Sequence, residues 1–183
     1  MSRGVFSLSM RFFETVHGVF LDDLDAIGVL HNSRYLSFFE RALGAFWHHL
    51  GWRRTTDYWN RPDALQVVRE NQVEYLRPVE DVDEVKVRTS IEKLGRTSIV
   101  FGFQMLPMDD GLPFARGRRV MVKVDPKARI PSSWTKAFRD LMDPWVHSSA
   151  GPGSAHAAEP NPNEKSDIVI ERPKGATPCP TVS

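Results

Sequence analysis

Between residues 33 and 50, Leu36, Phe39, Leu43, Phe46 and Trp47 recur at steps of three and four, and Phe38 and Ala42 widen the stripe. That spacing predicts an amphipathic helix with enough apolar surface to be mostly buried. Asn32 or Ser33 suits its N-cap and Gly51 its stop. Downstream the period changes to two. Residues 83–93 alternate Val85, Val87, Thr89 and Ile91 with Glu84, Lys86, Arg88, Ser90 and Glu92, and residues 97–106 alternate Ile99, Phe101 and Phe103 with their neighbours. Such alternation marks half-buried strands. Residues 64–75 and 114–124 are further strand-like runs, and residues 15–21 form a first one with Val16, Phe20 and Leu21 as its apolar positions. Glycine-containing turns at residues 93–96 and 108–111 predict hairpins. Residues 53–63 read as irregular and aromatic, and residues 131–142 as a short terminal helix. Strand, long helix, then four strands is an α+β order: an antiparallel sheet of five to six strands wrapped around one helix.

Length and composition narrow the picture. A chain of 183 residues holds one domain with a real core. From residue 148 onward Pro, Gly, Ser, Ala and Asn dominate, and Ile168-Val169-Ile170 is the one apolar run. That stretch buries too little to offset its ordering entropy, so the expected domain is residues 1–147 and the expected tail, residues 148–183, is disordered. A net charge of +1 gives no electrostatic reason to expect nucleic-acid binding. The single cysteine, Cys179, forms no internal disulfide and has no companions for a metal site. Arg11 and Glu14 interrupt the apolar N-terminal stretch, so it lacks a signal-peptide pattern, and no run approaches the ~20 apolar residues of a membrane helix. The expectation is a soluble cytoplasmic protein. His17, His31, His48, His49, His147 and His156 show no metal-ligand spacing, and neither a G-x-S-x-G elbow nor a Gly-rich phosphate loop is present. No cofactor is expected.

One stretch carries candidate chemistry. Asp22, Asp23 and Asp25 lie a few residues before the start of the long helix. Unpaired N–H groups and the helix dipole favour negative charge there. A carboxylate facing such a helix end can hydrolyse an activated acyl group. Asp25 is thus a reactive carboxylate or a turn residue. Gly28 supplies a special backbone conformation, a close approach or a plain turn. His31 is a proton donor to a leaving group, a polar pocket residue or a surface residue, and Asn32 is an N-cap whose geometry aims the free N–H groups.

The order of elements and the run Asp23-Leu24-Asp25, Gly28, Tyr35, Phe38-Phe39-Glu40 and Ala42 resemble the hotdog-fold acyl-CoA thioesterases. The likeness is to the group containing 4-hydroxybenzoyl-CoA thioesterase and the Tol-Pal-linked acyl-CoA thioesterase. Glu74-Tyr75-Leu76-Arg77-Pro78-Val79 and the hairpin from Glu92 to Ser98 extend it, so that it spans residues 14–125. The resemblance implies a thioesterase that splits an acyl-CoA or acyl-carrier-protein thioester into acid and thiol. It makes Asp25 the nucleophile or general base, has the Asn32 amide polarise the thioester carbonyl, and keeps His31 as a third catalytic candidate. Gly28, Val29, Tyr35 and Arg96 become the candidate substrate contacts, with Arg96 or the run from Arg116 to Arg119 toward the nucleotide phosphates. It also implies edge-to-edge homodimers, or tetramers, with a site at the dimer interface. A helix carboxylate is the nucleophile in another branch of the fold, but Glu40 in its Phe-Phe-Glu setting resembles a structural residue. His31-Asn32 departs from the Tyr-His of the Tol-Pal-linked pattern, which bears on acyl preference. Trp47, Trp52 and Trp59 suit a bulky acyl group, the core or a dimer contact. Rival expectations are a hydratase or dehydratase on the same fold, and a non-catalytic acyl-thioester binding or scaffold protein.

Overall fold

The computed structural model describes residues 11–53 and 60–146. Trp59 and the expected tail from residue 148 lie outside the described residues. Five strands, β1 (Phe13–Gly18), β2 (Gln66–Tyr75), β3 (Glu84–Leu94), β4 (Ser98–Leu106) and β5 (Ala115–Lys123), form one sheet in the order β1-β3-β4-β5-β2. All four pairings are antiparallel. Helix α1 (Asn32–His49) packs against one face, and a shorter helix, α2 (Lys136–Met142), closes the described region.

The strand register decides which side chains meet α1. Val87 pairs with Met105, Thr89 with Phe103 and Ile91 with Phe101, so the apolar members of the alternation share one face. They bury Phe38, Phe39 and Phe46 of the helix, each nearly inaccessible. Phe39 stacks on Phe103 at 4.9 Å between ring centroids. Gly117, opposite Phe103 on β5, allows that stack, because a Cβ there would overlap the Phe39 ring. Two cations also lie on the helix side of β5. Arg119 is buried, donating to the Asn71 side-chain oxygen at 2.7 Å and to Glu40 Oε1 at 3.0 Å. Lys123 pairs with buried Asp63 at 2.9 Å, and Asp63 also accepts from the Thr135 amide and hydroxyl, which anchors the N-terminus of α2.

Three expected boundaries shift for physical reasons. The first strand ends at Gly18 because the Asp23 carboxylate accepts from the Phe20 amide and folds residues 20–23 into a turn. Phe20 and Leu21, expected as apolar strand positions, are consequently 65% and 89% exposed. Helix α1 is capped by His31, not by Asn32 or Ser33, because its Nδ1 accepts from the Ser33 amide. The terminal helix begins at Lys136, not near Pro131, with Thr135 as N-cap. Residues before it pair with the sheet instead: the Ser132 amide donates to the Lys123 carbonyl.

Candidate active site

Residues 24–30 form a miniature hairpin. Leu24 and Leu30 are bridged, the Asp25 amide donates to the Val29 carbonyl at 2.8 Å, and the Gly28 amide donates to the Asp25 carbonyl at 3.1 Å. Asp25 Oδ1 accepts from the Ile27 and Val29 amides at 2.9 and 3.3 Å, an Asx turn of the kind Asp side chains favour. One carboxylate oxygen is therefore fixed to the loop, while Oδ2 has no partner among the described residues. Gly28 has φ +84°, and a Cβ there would meet nothing within 4 Å. Its backbone conformation favours glycine, and no group among the described residues approaches it closely.

The hairpin leads straight into α1. The His31 amide donates to the Asp23 carbonyl at 2.9 Å, the Leu30 amide to the Val79 carbonyl at 2.9 Å, and the Ser33 amide to His31 Nδ1 at 3.2 Å. Among the described residues the Asn32 N–H has no acceptor. It is the first N–H of an 18-residue helix, at the positive end of the dipole. The Tyr75 hydroxyl donates to the Asn32 carbonyl at 3.2 Å and ties β2 to this helix start. His31 Nδ1 also sits 2.9 Å from the Ser33 hydroxyl, so the imidazole holds the helix end in shape.

The other sequence candidates scatter. Val29 acts through its backbone, donating to and accepting from Asp25. Tyr35 is a core residue, 3% exposed and edge-on to Tyr75 at 4.9 Å. Burial pushes its hydroxyl pKa up. Arg96 sits in the hairpin after β3, whereas the Asp25 loop packs beside the start of that strand, where the Val19 amide donates to the Asp83 carbonyl. The 11-residue strand separates these ends by roughly 33 Å, so Arg96 and Asp25 do not meet within one chain. There Arg96 donates to the Ser133 hydroxyl. The run from Arg116 to Arg119 also divides. Arg116 and Arg118 pair on the outer face with Glu74 and with Glu70 and Glu92, and Arg119 points inward. Trp47 stacks near Trp52 at 5.3 Å beside Phe138 of α2. It lies about 22 Å along the helix from Asn32, so this cluster packs the far end and does not line the loop.

Beside the loop an open cleft of about 350 Å³ runs between Val19, Leu24, Gly28 and Val79, with Glu80 and Asp83 on its rim. Its acidic rim is ill-suited to nucleotide phosphates. No three His, Cys, Asp or Glu side chains among the described residues converge as a metal-ligand set. On the helix side of β1, half-buried His17 lies edge-on to Phe38 at 5.8 Å and is hydrogen-bonded to the Thr15 hydroxyl at 2.9 Å. Burial, and secondarily the charge of Arg41, lower its pKa below 6.5.

Two residues that touch the site were not assigned to it from the sequence. Tyr75 entered only as part of the Glu74–Val79 motif, and it is the β2–α1 packing that brings it to Asn32. Arg34 did leave a sign. A cation in the first turn of a helix opposes the dipole and needs a carboxylate nearby, and Asp22 and Asp23 supply one.

Comparison with known proteins finds thioesterases similar to this chain. The family model described as Thioesterase superfamily matches residues 27–113, starting two residues after Asp25. An acyl-CoA thioester hydrolase, YbgC of Escherichia coli O6:H1, is 29% identical over 120 residues, covering 66% of this chain and 87% of that protein. A thioesterase of Thermus thermophilus, solved with coenzyme A and Zn, is 26% identical with TM-score 0.59, covering 72% of this chain and 92% of that one. A 1,4-dihydroxy-2-naphthoyl-CoA thioesterase from Synechocystis shares the fold at TM-score 0.65 and 14% identity, covering 73% of this chain and 96% of that one. The chain is similar to the thioesterase superfamily over residues 27–113 and has the hotdog fold of the solved thioesterases.

Proposed function

We propose that this protein is an acyl-CoA thioesterase, hydrolysing an acyl-CoA or acyl-carrier-protein thioester to free acid and thiol, with Asp25 and the start of α1 as its machinery. The observation that carries this reading is the Asn32 N–H at the head of α1, without an acceptor among the described residues, entered through a loop whose carboxylate keeps one oxygen free among those residues. The thioester carbonyl oxygen takes its hydrogen bond from that N–H, which strengthens as negative charge develops there. The free Oδ2 of Asp25 either attacks the carbonyl carbon or takes a proton from the water that does. In the first case the C–S bond breaks to leave an Asp25 acyl anhydride and a thiolate, and water then cleaves the anhydride to the acid and supplies the thiol's proton. In the second the water's oxygen becomes part of the acid, the C–S bond breaks, and Asp25 passes the water's proton to the leaving thiolate.

Two copies pairing through the free edge of β2 complete the site. That strand is mostly exposed, and its Tyr75 already touches the helix start. In an antiparallel pair the partner's β2 lies beside Tyr75 and supplies a second wall. It also brings the partner's Gln66 end, with its neighbouring cations, toward the acidic loop of the first copy. That answers the separation of Arg96 from Asp25 within one chain.

Thiol release from a panel of acyl-CoAs, followed with a thiol-reactive dye, tests the reading. Release above background on at least one acyl chain is expected. Absence of release across the panel overturns hydrolysis and leaves acyl-thioester binding without turnover.

A further inference from the structure

Asp25 makes no contact with a charged side chain among the described residues, so something else must set where its loop stands relative to α1. The loop has two feet. One is the turn at residues 21–23, and the other is His31 at the helix start. Arg34, one turn into the helix, reaches back across both. Its Nη2 donates to the Asp22 carbonyl at 2.5 Å, its Nε lies 3.6 Å from Asp23 Oδ1, and Nη2 lies 3.8 Å from Asp22 Oδ2. Asp23 is only 2% exposed, and Arg34 is its one cationic partner among the described residues. The Arg34 amide meanwhile donates to the His31 carbonyl at 2.8 Å, so the same residue is held by the foot that it braces.

We propose that Arg34 is a positioning residue for Asp25: its guanidinium clamps the Asp22–Asp23 turn onto the first turn of α1 and so sets the carboxylate against the Asn32 N–H. The proposal rests on the reading of Asp25 as the reactive carboxylate. The location argues for this use. A cation at this position works against the helix dipole, and here it balances the charge of a buried carboxylate and donates to an adjacent carbonyl. The Asx turn fixes Asp25 within its own hairpin, but only the feet fix that hairpin to the helix. Arg34 touches both feet and contacts neither Asp25 nor Asn32.

Arg34→Met keeps the apolar stem and removes the clamp, while Arg34→Lys keeps a charge that reaches Asp23. In the full chain, amide hydrogen exchange over residues 20–31 is expected to accelerate about tenfold in Arg34→Met and to return toward wild type in Arg34→Lys. Exchange in β3, β4 and β5 stays unchanged in both. Unaltered loop exchange in Arg34→Met overturns the clamp, and so does acceleration spread equally over the sheet, which marks a general loss of stability. In the thiol-release assay kcat falls about 10²-fold in Arg34→Met with KM within about twofold, because displacement of a reacting group by an ångström is felt on that scale. A raised KM at unchanged kcat makes Arg34 a substrate contact and overturns the proposal. Failure of the functional reading looks different: wild type then releases no thiol while the loop-exchange difference persists.

Discussion

His31 and Asp23 close the loop that carries Asp25: the His31 amide donates to the Asp23 carbonyl at 2.9 Å. The Asp23 carboxylate is buried and accepts from the Phe20 amide at 3.1 Å, so one residue holds both the turn and the head of α1. Replacing it with Leu removes the acceptor for Phe20 and strips Arg34 of its buried partner. Asp23→Leu is expected to lose about 1–3 kcal/mol of stability, read from urea unfolding. An unchanged midpoint would show that the turn stands without its carboxylate.

Gly28 at φ +84° lies in the left-handed region with open space around it. Gly28→Ala should therefore cost about 1–2 kcal/mol from backbone strain alone, and Gly28→Asn less, since Asn tolerates this conformation. Equal losses for the two variants would point to packing in place of backbone conformation.

At Gly117 the constraint is steric. An added methyl meets the Phe39 ring that stacks on Phe103, so Gly117→Ala should destabilise by about 1–3 kcal/mol through overpacking. Combining it with Phe39→Leu frees space, and the double variant should lose less than the sum of the two single changes. Strict additivity would remove the contact from the explanation.

For His17 the sign follows from a lowered pKa. Burial and Arg41 disfavour the imidazolium in the folded protein, so below 6.5 the unfolded chain binds the extra proton more readily. Its contribution to stability is complete above that value and is lost progressively as pH falls below it, through the lower pKa of the folded state. His17→Gln should flatten the acid side of the stability–pH curve measured by chemical denaturation. An unchanged slope in the variant would separate His17 from the acid sensitivity.

Much of the fold was legible because its periods are strong. The helix stripe named Phe38, Phe39, Ala42, Leu43 and Phe46, and all five are buried. Val85, Val87 and Ile91 behave likewise on β3. Local rules failed where tertiary partners decide. Phe20 and Leu21 looked like strand positions, yet a carboxylate three residues from Phe20 turns the chain outward. Arg119 looked like part of a basic surface run, yet Asn71 and Glu40 draw it inside. The candidate site was partly legible. Spacing placed Asp25, Gly28 and Asn32 together, since all three lie within one short segment. Within one chain Arg96 stands at the opposite end of β3 from the Asp25 loop, a distance that residue order alone does not give. Tyr75 stood in a quoted motif but was not assigned to the site, being far along the chain and near in space.

Asp25→Asn tests catalysis by this loop most directly. Asn keeps an Oδ1 acceptor for the Ile27 and Val29 amides, so the hairpin survives while the carboxylate is lost. With the best acyl-CoA of the panel, kcat is predicted to fall by about 10²–10⁴-fold, the range for loss of a general base. Thermal unfolding should stay close to wild type. Full turnover by a folded Asp25→Asn would contradict the assignment and direct attention to Glu40, the helix carboxylate that Arg119 holds.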